Sequence, residues 1–219
     1  MNVNKGVLFW LSYLAGIATV AWVVWVYPDL ADTFPVHWNV DGWPDRFAPK
    51  SQLLWLAGLV LAIPLFMDIL PRFDPRRKNY DYFSTSYQYM KLGITVFMAF
   101  IMVLSIQAGR SQDQILSTRA MMVGMGLMFM ILGNYLTKVR SNWFVGIKTP
   151  WTLSSDEVWR KTHRVGGWAF FLVGLLCFAA GFFPAGKALF FLVICVLVAV
   201  SIGIYLYSYL LYRALNKSS

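Results

Sequence analysis

Six long apolar runs constrain this chain more than any other feature. They cover residues 6–27, 51–70, 89–108, 116–136, 167–183 and 187–211. Each holds roughly the 20 residues that a helix needs to cross about 30 Å of hydrocarbon, and the fifth is the shortest. None alternates in the manner of a barrel strand. Backbone in hydrocarbon must satisfy its own hydrogen bonds, so helices are the remaining choice. The expected fold is all-α: a polytopic membrane protein with six transmembrane helices, an outer cap loop and an inner amphipathic helix. An N-terminal half (1–115) would hold spans one to three and the cap loop 28–50. A C-terminal half (116–219) would hold spans four to six and the inner loop 134–167.

Composition excludes the soluble alternatives. Of 219 residues, 58% are hydrophobic and 13% charged, against about 25% charged in soluble domains. The net charge of +9 does not point to direct nucleic-acid binding, because the basic residues sit at the ends of apolar runs. The partners expected from composition are membrane lipids. Cys177 and Cys195 fall inside apolar runs and read as buried, reduced thiols. Neither a disulfide framework nor a Cys/His metal spacing is present in the sequence, and no cofactor motif appears. The first run is too long for a signal-peptide core and no A-x-A site follows it, so it is expected to stay as an anchor.

Lys and Arg in the short loops set the orientation. Only Arg46, Lys50, Arg110, Arg119 and Lys187 fall on one side. The other fourteen of nineteen, with Lys91 among them, fall on the side of the N-terminus. Both termini are therefore expected in the cytoplasm. Trp22, Trp25 and Tyr27 at one end, and Tyr205, Tyr207, Tyr209 and Tyr212 at the other, suit headgroup-level belts.

The outer segment 28–50 reads PDLADTFPVHWNVDGWPDRFAPK. Its four prolines and Asp41-Gly42 argue for turns rather than a regular element. His37, Asp41 and Asp45 could be read as a metal site, but their spacing matches no metal loop, and no metal is expected. A compact cap is one alternative. A surface for something apolar and cationic arriving from outside is another, since carboxylates stand beside Phe34, Trp38, Trp43 and Phe47.

The first inner loop, 71–91, joins Arg76-Arg77-Lys78 to five aromatics and reads as a segment lying on anionic lipid. The second, 134–167, is NYLTKVRSNWFVGIKTPWTLSSDEVWRKTHRVGG. Asn134, Lys138 and Asn142 are spaced to share one helix face, and Gly146 and Thr149-Pro150 should break that helix. Ser154 to Glu157 has the pattern of a capping box. A short amphipathic helix should follow and end at Gly166-Gly167, with Val158, Trp159, Thr162 and Val165 on its apolar face.

The run GIKTPWTL, then VW two residues beyond the capping box, then THR and a glycine, resembles the SdpI-type immunity proteins of bacteria. The outer FPVHWNVDGWPD is similar to a motif in the first half of such proteins, and the resemblance covers nearly the whole chain. It implies a six-span protein of the bacterial plasma membrane. The implied role is protection against a secreted membrane-active peptide, with possible capture of a cytoplasmic transcriptional repressor. Carried over residue by residue, it points to Asn134, Lys138, Asn142, Gly146, Ile147, Thr149, Pro150, Trp151, Thr152, Trp159, Thr162 and His163 as an inner, partner-binding motif. Outside, it points to Pro35, His37, Trp38, Asn39, Gly42 and Asp45, to which the residue chemistry adds Asp41. No catalytic residue is expected. The alternative is a membrane enzyme or transporter for a lipid-linked or small amphiphilic substrate.

Two features inside the spans carry expectations. Asp68 stands alone among apolar residues, and Arg72 at i+4 is its expected partner. Gly167, Gly174 and Gly181 repeat every seven residues, which lets another helix approach closely.

Overall fold

A computed structural model describes residues 3–39, 44–111, 114–183 and 187–217. Helix α1 (Val3–Val26) leads through a 3-10 turn (Tyr27–Asp29) into strands β1 (Thr33–Trp38) and β2 (Pro44–Pro49). Helix α2 (Ser51–Phe73), a second 3-10 turn (Arg77–Asn79), α3 (Tyr80–Ser111) and α4 (Gln114–Leu136) follow. Then come the short α5 (Pro150–Ser154), α6 (Asp156–Ala180) and α7 (Lys187–Lys217). Among the described residues six helices are long and apolar enough to cross a membrane. The protein is an all-α polytopic membrane protein, as the apolar runs predict.

Its outer surface fits that solvent. Trp10, Trp25, Trp55 and Phe66 all point outward, and no more than 39% of any span's most apolar window is buried inside the protein. In water each such side chain would forfeit about 1.5–3 kcal/mol of burial. In lipid it forfeits almost nothing, so helices are held together by close packing and polar contacts instead.

Helices α1, α2 and α3 pack on one another around Val23, Leu53, Val60, Met102 and Ile106. Helix α3 then packs on α4, α4 on α6, and α6 on α7. The α4–α6 pair is the tightest, and the seven-residue glycine stripe is the cause. A Cβ on Gly174 would lie 2.6 Å from the Met130 nitrogen and 2.7 Å from the Gly126 carbonyl oxygen. One on Gly167 would lie 2.7 Å from the Gly133 carbonyl oxygen. The stripe on α6 therefore faces matching glycines on α4, backbone against backbone.

Several local expectations fail for nonlocal reasons. Segment 28–50 is not merely a set of turns: β1 and β2 pair antiparallel, with irregular register after Pro35. Pro44 and Pro49 bound the second strand, and a two-stranded ribbon has free edges that tolerate proline. The ribbon is anchored by Phe34 and Ala48, buried against α1, α2 and α3. Lys50 closes its base by donating to the Leu30 carbonyl at 3.1 Å. Helix α6 does not stop at Gly166-Gly167; it continues across them because those glycines fill the contacts with Ile147 and α4. Of the five aromatics that follow Arg76-Arg77-Lys78, most turn inward: Tyr80, Phe83 and Tyr87 are core, and Tyr82 is the well-exposed one. The 184–186 turn between the last two spans lies outside the described residues.

Asp68 also finds a different partner. Its carboxylate accepts from Lys91 of α3 at 2.8 and 3.0 Å and from the Tyr13 hydroxyl of α1 at 2.9 Å. Lys91 is wholly buried, with its ammonium 4.5 Å from the Phe9 ring centroid. An i+4 rule cannot see that α3 presents a cation to this spot. Where water is scarce, a direct pair outcompetes a snorkelling one.

Candidate functional site

Two polar constructions stand at opposite ends of the bundle. The hairpin joins α1 to α2 at one end. The motif segment joins α4 to α6 at the other.

The motif end is built on buried hydrogen bonds. Asp74, just past α2, is 3% exposed. It accepts from the Arg76 N–H at 2.7 Å, the Tyr80 hydroxyl at 2.9 Å and the Trp143 N–H at 2.9 Å. Asn142 is fully buried. Its amide donates to the Arg140 and Val145 carbonyls, both at 2.8 Å. Its oxygen accepts from the Tyr80 hydroxyl at 3.2 Å and from the Phe144 and Val145 N–H groups at 2.9 and 2.6 Å. Arg76 donates to the Ser141 hydroxyl and, at 2.9 Å, to the Leu153 carbonyl. Asn79 donates to the Ser141 carbonyl at 2.7 Å. The first inner loop thus serves as the cradle of the second.

Helix α4 ends at Leu136, so Asn142 does not share a face with Asn134 and Lys138. Asn142 folds the irregular segment beyond the helix. Asn134 is exposed beside Arg164 and Trp168 in a shallow cleft between α4 and α6. Lys138 lies over the Tyr135 ring at 5.0 Å.

The GIKTPWTL turn is fixed residue by residue. Gly146 has φ of 123°, and a Cβ there would lie 2.3 Å from His163 Nε2. Only glycine satisfies both conditions. The next N–H, from Ile147, donates to His163 Nε2 at 2.9 Å. His163 Nδ1 lies 2.8 Å from the Trp159 carbonyl oxygen, to which it donates. Accepting at Nε2 and donating at Nδ1 makes this a neutral imidazole with both nitrogens committed. Trp159 stacks on it at 3.9 Å between centroids and donates from Nε1 to the Val139 carbonyl at 2.8 Å.

Thr149 and Thr152 form the capping box of α5. The Thr149 hydroxyl accepts from the Thr152 N–H at 3.1 Å, and the Thr152 hydroxyl from the Thr149 N–H at 2.8 Å. Pro150 takes the first helical position, where its missing N–H costs nothing. The Thr149 hydroxyl also meets Ser208 of α7 at 3.1 Å, and Trp151 packs on Tyr205 and Tyr209. The cap of α6 is Ser155, accepting from the Val158 N–H at 3.4 Å, and not Ser154. Glu157 pairs with Lys161 at 2.8 Å rather than closing a capping box. Val158, Trp159, Thr162 and His163 are buried, whereas Val165 is exposed. Thr162 is fully buried and its hydroxyl has no partner among the described residues.

At the hairpin end, His37 Nδ1 lies 2.6 Å from an Asp45 carboxylate oxygen, both side chains being well exposed. Pro35 is buried next to Gly109 of α3. Trp38 ends β1 opposite Pro44, and Asn39 follows it, half-buried. Asp41 and Gly42 lie outside the described residues. Among the described residues no three His, Cys, Asp or Glu converge.

Sequence reasoning missed Asp74, Arg76, Asn79, Tyr80 and Ser208 as parts of the motif end. Their one local signal is Asp74-Pro75, a turn-initiating pair just past α2. Their partners on the second segment lie 62 or more residues away for Arg76, Asn79 and Tyr80, beyond any local rule.

The helices, the hairpin and the hydrogen-bonded turn define a multi-pass membrane protein with structured segments at both ends. Comparison with known proteins is more particular. Residues 138–208 match the SdpI/YfhL protein family. Residues 14–62 match a domain of unknown function, DUF1648. The chain is 22% identical over 217 residues to Immunity protein SdpI of Bacillus subtilis (strain 168), covering 99% of this chain and 98% of that protein. The likeness carried by GIKTPWTL is therefore a likeness to the SdpI/YfhL family over residues 138–208, and the similarity that runs along nearly the whole chain is to that one relative. The family match runs from Lys138 to Ser208, which spans the capped turn and its α7 contact. No solved structure matches the chain.

Proposed function

We propose that the chain is a multi-pass immunity protein of the bacterial plasma membrane, protecting the cell against a membrane-active peptide. The observation that carries this reading is the end-to-end similarity to an immunity protein. It is a binding protein rather than an enzyme. Both termini and the motif end face the cytoplasm, a reading supported by the fourteen basic residues of that side.

In this reading the hairpin meets the peptide. The paired His37 and Asp45 stand beside exposed Phe47, which suits a cationic, apolar ligand. Helix α3, kinked at Phe83, touches both ends of the bundle and is the route proposed for the coupling. At one end its Gly109 lies against Pro35, and at the other Tyr80 donates to Asp74 and Asn142. A shift of the hairpin on α3 would reach the motif segment, whose exposed Trp143 and Lys148 would meet a cytoplasmic partner such as a repressor.

The test is protection. Cells lacking the gene are challenged with candidate antimicrobial peptides, then complemented with the wild-type gene or with His37→Ala/Asp45→Ala. Wild type should restore survival, and the double variant should restore less at equal protein level. Equal sensitivity with and without the gene across the peptides would refute the reading.

A further inference from the structure

Two adjoining clefts open at the motif end. One, of about 580 Å³, is lined by Arg76, Arg77 and Lys78 together with Asn79 and Asp156. The other, of about 330 Å³, is lined by Arg140 and Arg160 together with Tyr82, Ser141 and the same Asn79 and Asp156. Five cations thus border two spaces that share a wall, against one carboxylate. Arg76 is committed to Ser141 and Leu153 and lies 3.8 Å from Asp156. Among the described residues Arg77, Lys78, Arg140 and Arg160 form no ion pair.

Hydrogen bonds tie together the two segments that carry most of these cations. Asn79 ties the first segment to the Ser141 carbonyl at 2.7 Å, and Asn142 ties down the second. The cations are therefore set around a common space, and a bound anion would relieve their repulsion. Arginine forks favour phosphate oxygens in particular. The clefts also stand beside the ends of spanning helices. Phe73 and Tyr82 are 74% and 76% exposed at the ends of α2 and α3, where apolar helix surface begins.

We propose that the two clefts form one site for a ligand carrying two phosphate groups on a short linker, supplied by an anionic lipid headgroup of the diphosphatidylglycerol type. Each cleft takes one phosphate, and the Asn79–Asp156 wall lies between them. A single-phosphate headgroup can fill only one cleft. Basic pockets between helix ends are the usual form of such lipid sites. The proposal is independent of the immunity reading.

The experiment is native mass spectrometry of the full chain in detergent. Diphosphatidylglycerol, phosphatidylglycerol, phosphatidylcholine and soluble pyrophosphate are titrated separately, and pyrophosphate is also used as a competitor. Diphosphatidylglycerol should be retained about tenfold more tightly than phosphatidylglycerol, and phosphatidylcholine least. Arg77→Ala/Lys78→Ala and Arg140→Ala/Arg160→Ala should each abolish that tenfold preference while leaving the phosphatidylglycerol level in place. Asp156→Asn should tighten retention, a gain that a purely structural role for Asp156 would not give. Equal retention of both anionic lipids by wild type would overturn the proposal. So would a parallel loss of both lipids in the paired variants, which marks diffuse attraction. Displacement of diphosphatidylglycerol by equimolar pyrophosphate would assign the site to a free diphosphate and overturn the lipid source. Should a paired variant fail to fold, unchanged or weaker retention by Asp156→Asn overturns the site by itself.

Discussion

Gly146→Ala tests whether the motif turn is held as described. The new methyl group must adopt φ near 123° and would sit 2.3 Å from His163 Nε2 and 3.1 Å from Trp159 Cζ2. The backbone term alone is about 1–2 kcal/mol. The imidazole cannot yield cheaply, because both its nitrogens are bonded and its face lies on Trp159. Moving it leaves the Ile147 N–H unsatisfied, a further cost of about 1–3 kcal/mol. The expected total is about 2–5 kcal/mol, a large part of the margin of a typical fold. Unfolding of the purified protein in mixed micelles reads this out. Gly58→Ala is the control, since nothing lies within 4 Å of that position and it should fall within about 1 kcal/mol of wild type. Adding His163→Ala to Gly146→Ala removes the clashing ring, so the double variant should cost less than the sum of the singles. A Gly146→Ala protein as stable as the Gly58→Ala control would refute the geometry.

Two further outcomes are expected. Lys91→Met strands the Asp68 carboxylate among helices and should cost about 3–5 kcal/mol, while Lys91→Met/Asp68→Leu should recover most of that loss in the same unfolding assay. A double variant as unstable as the single would mean that the pair is not the reason for the cost. In a protein with Cys177 and Cys195 replaced, a single cysteine at Asp32 should react with membrane-impermeant maleimide on intact cells, and one at Lys148 only after the cells are permeabilised. Reaction of both from outside would reverse the proposed placement of the motif end.

The six helices were legible in the sequence because hydrocarbon leaves a chain so little choice. An apolar run of span length must close its hydrogen bonds within itself, and no distant residue changes that. The seven-residue glycine spacing on α6 was legible for a related reason: one face of one helix is a local property. The spacing did not say that Gly126 and Gly133 of α4 would be the surface met. Thr149-Pro150 likewise announced a break, but the box that forms caps α5 with Thr149 and Thr152, and the one expected at Ser154 and Glu157 does not form. Other outcomes belonged to tertiary structure alone. Asp68 had Arg72 one helical turn away and chose Lys91, because the fold sets α3 against it in a place with little water. His163 and Trp159 were legible as neighbours on a helix. Their burial came from the segment around Gly146 folding over them. The hairpin formed despite its prolines because Phe34 and Ala48 found a buried place among three helices. Sequence fixes what a segment can satisfy by itself. Which distant group completes a buried polar atom or fills an apolar gap depends on which faces the assembled helices bring together, and only the folded chain specifies that.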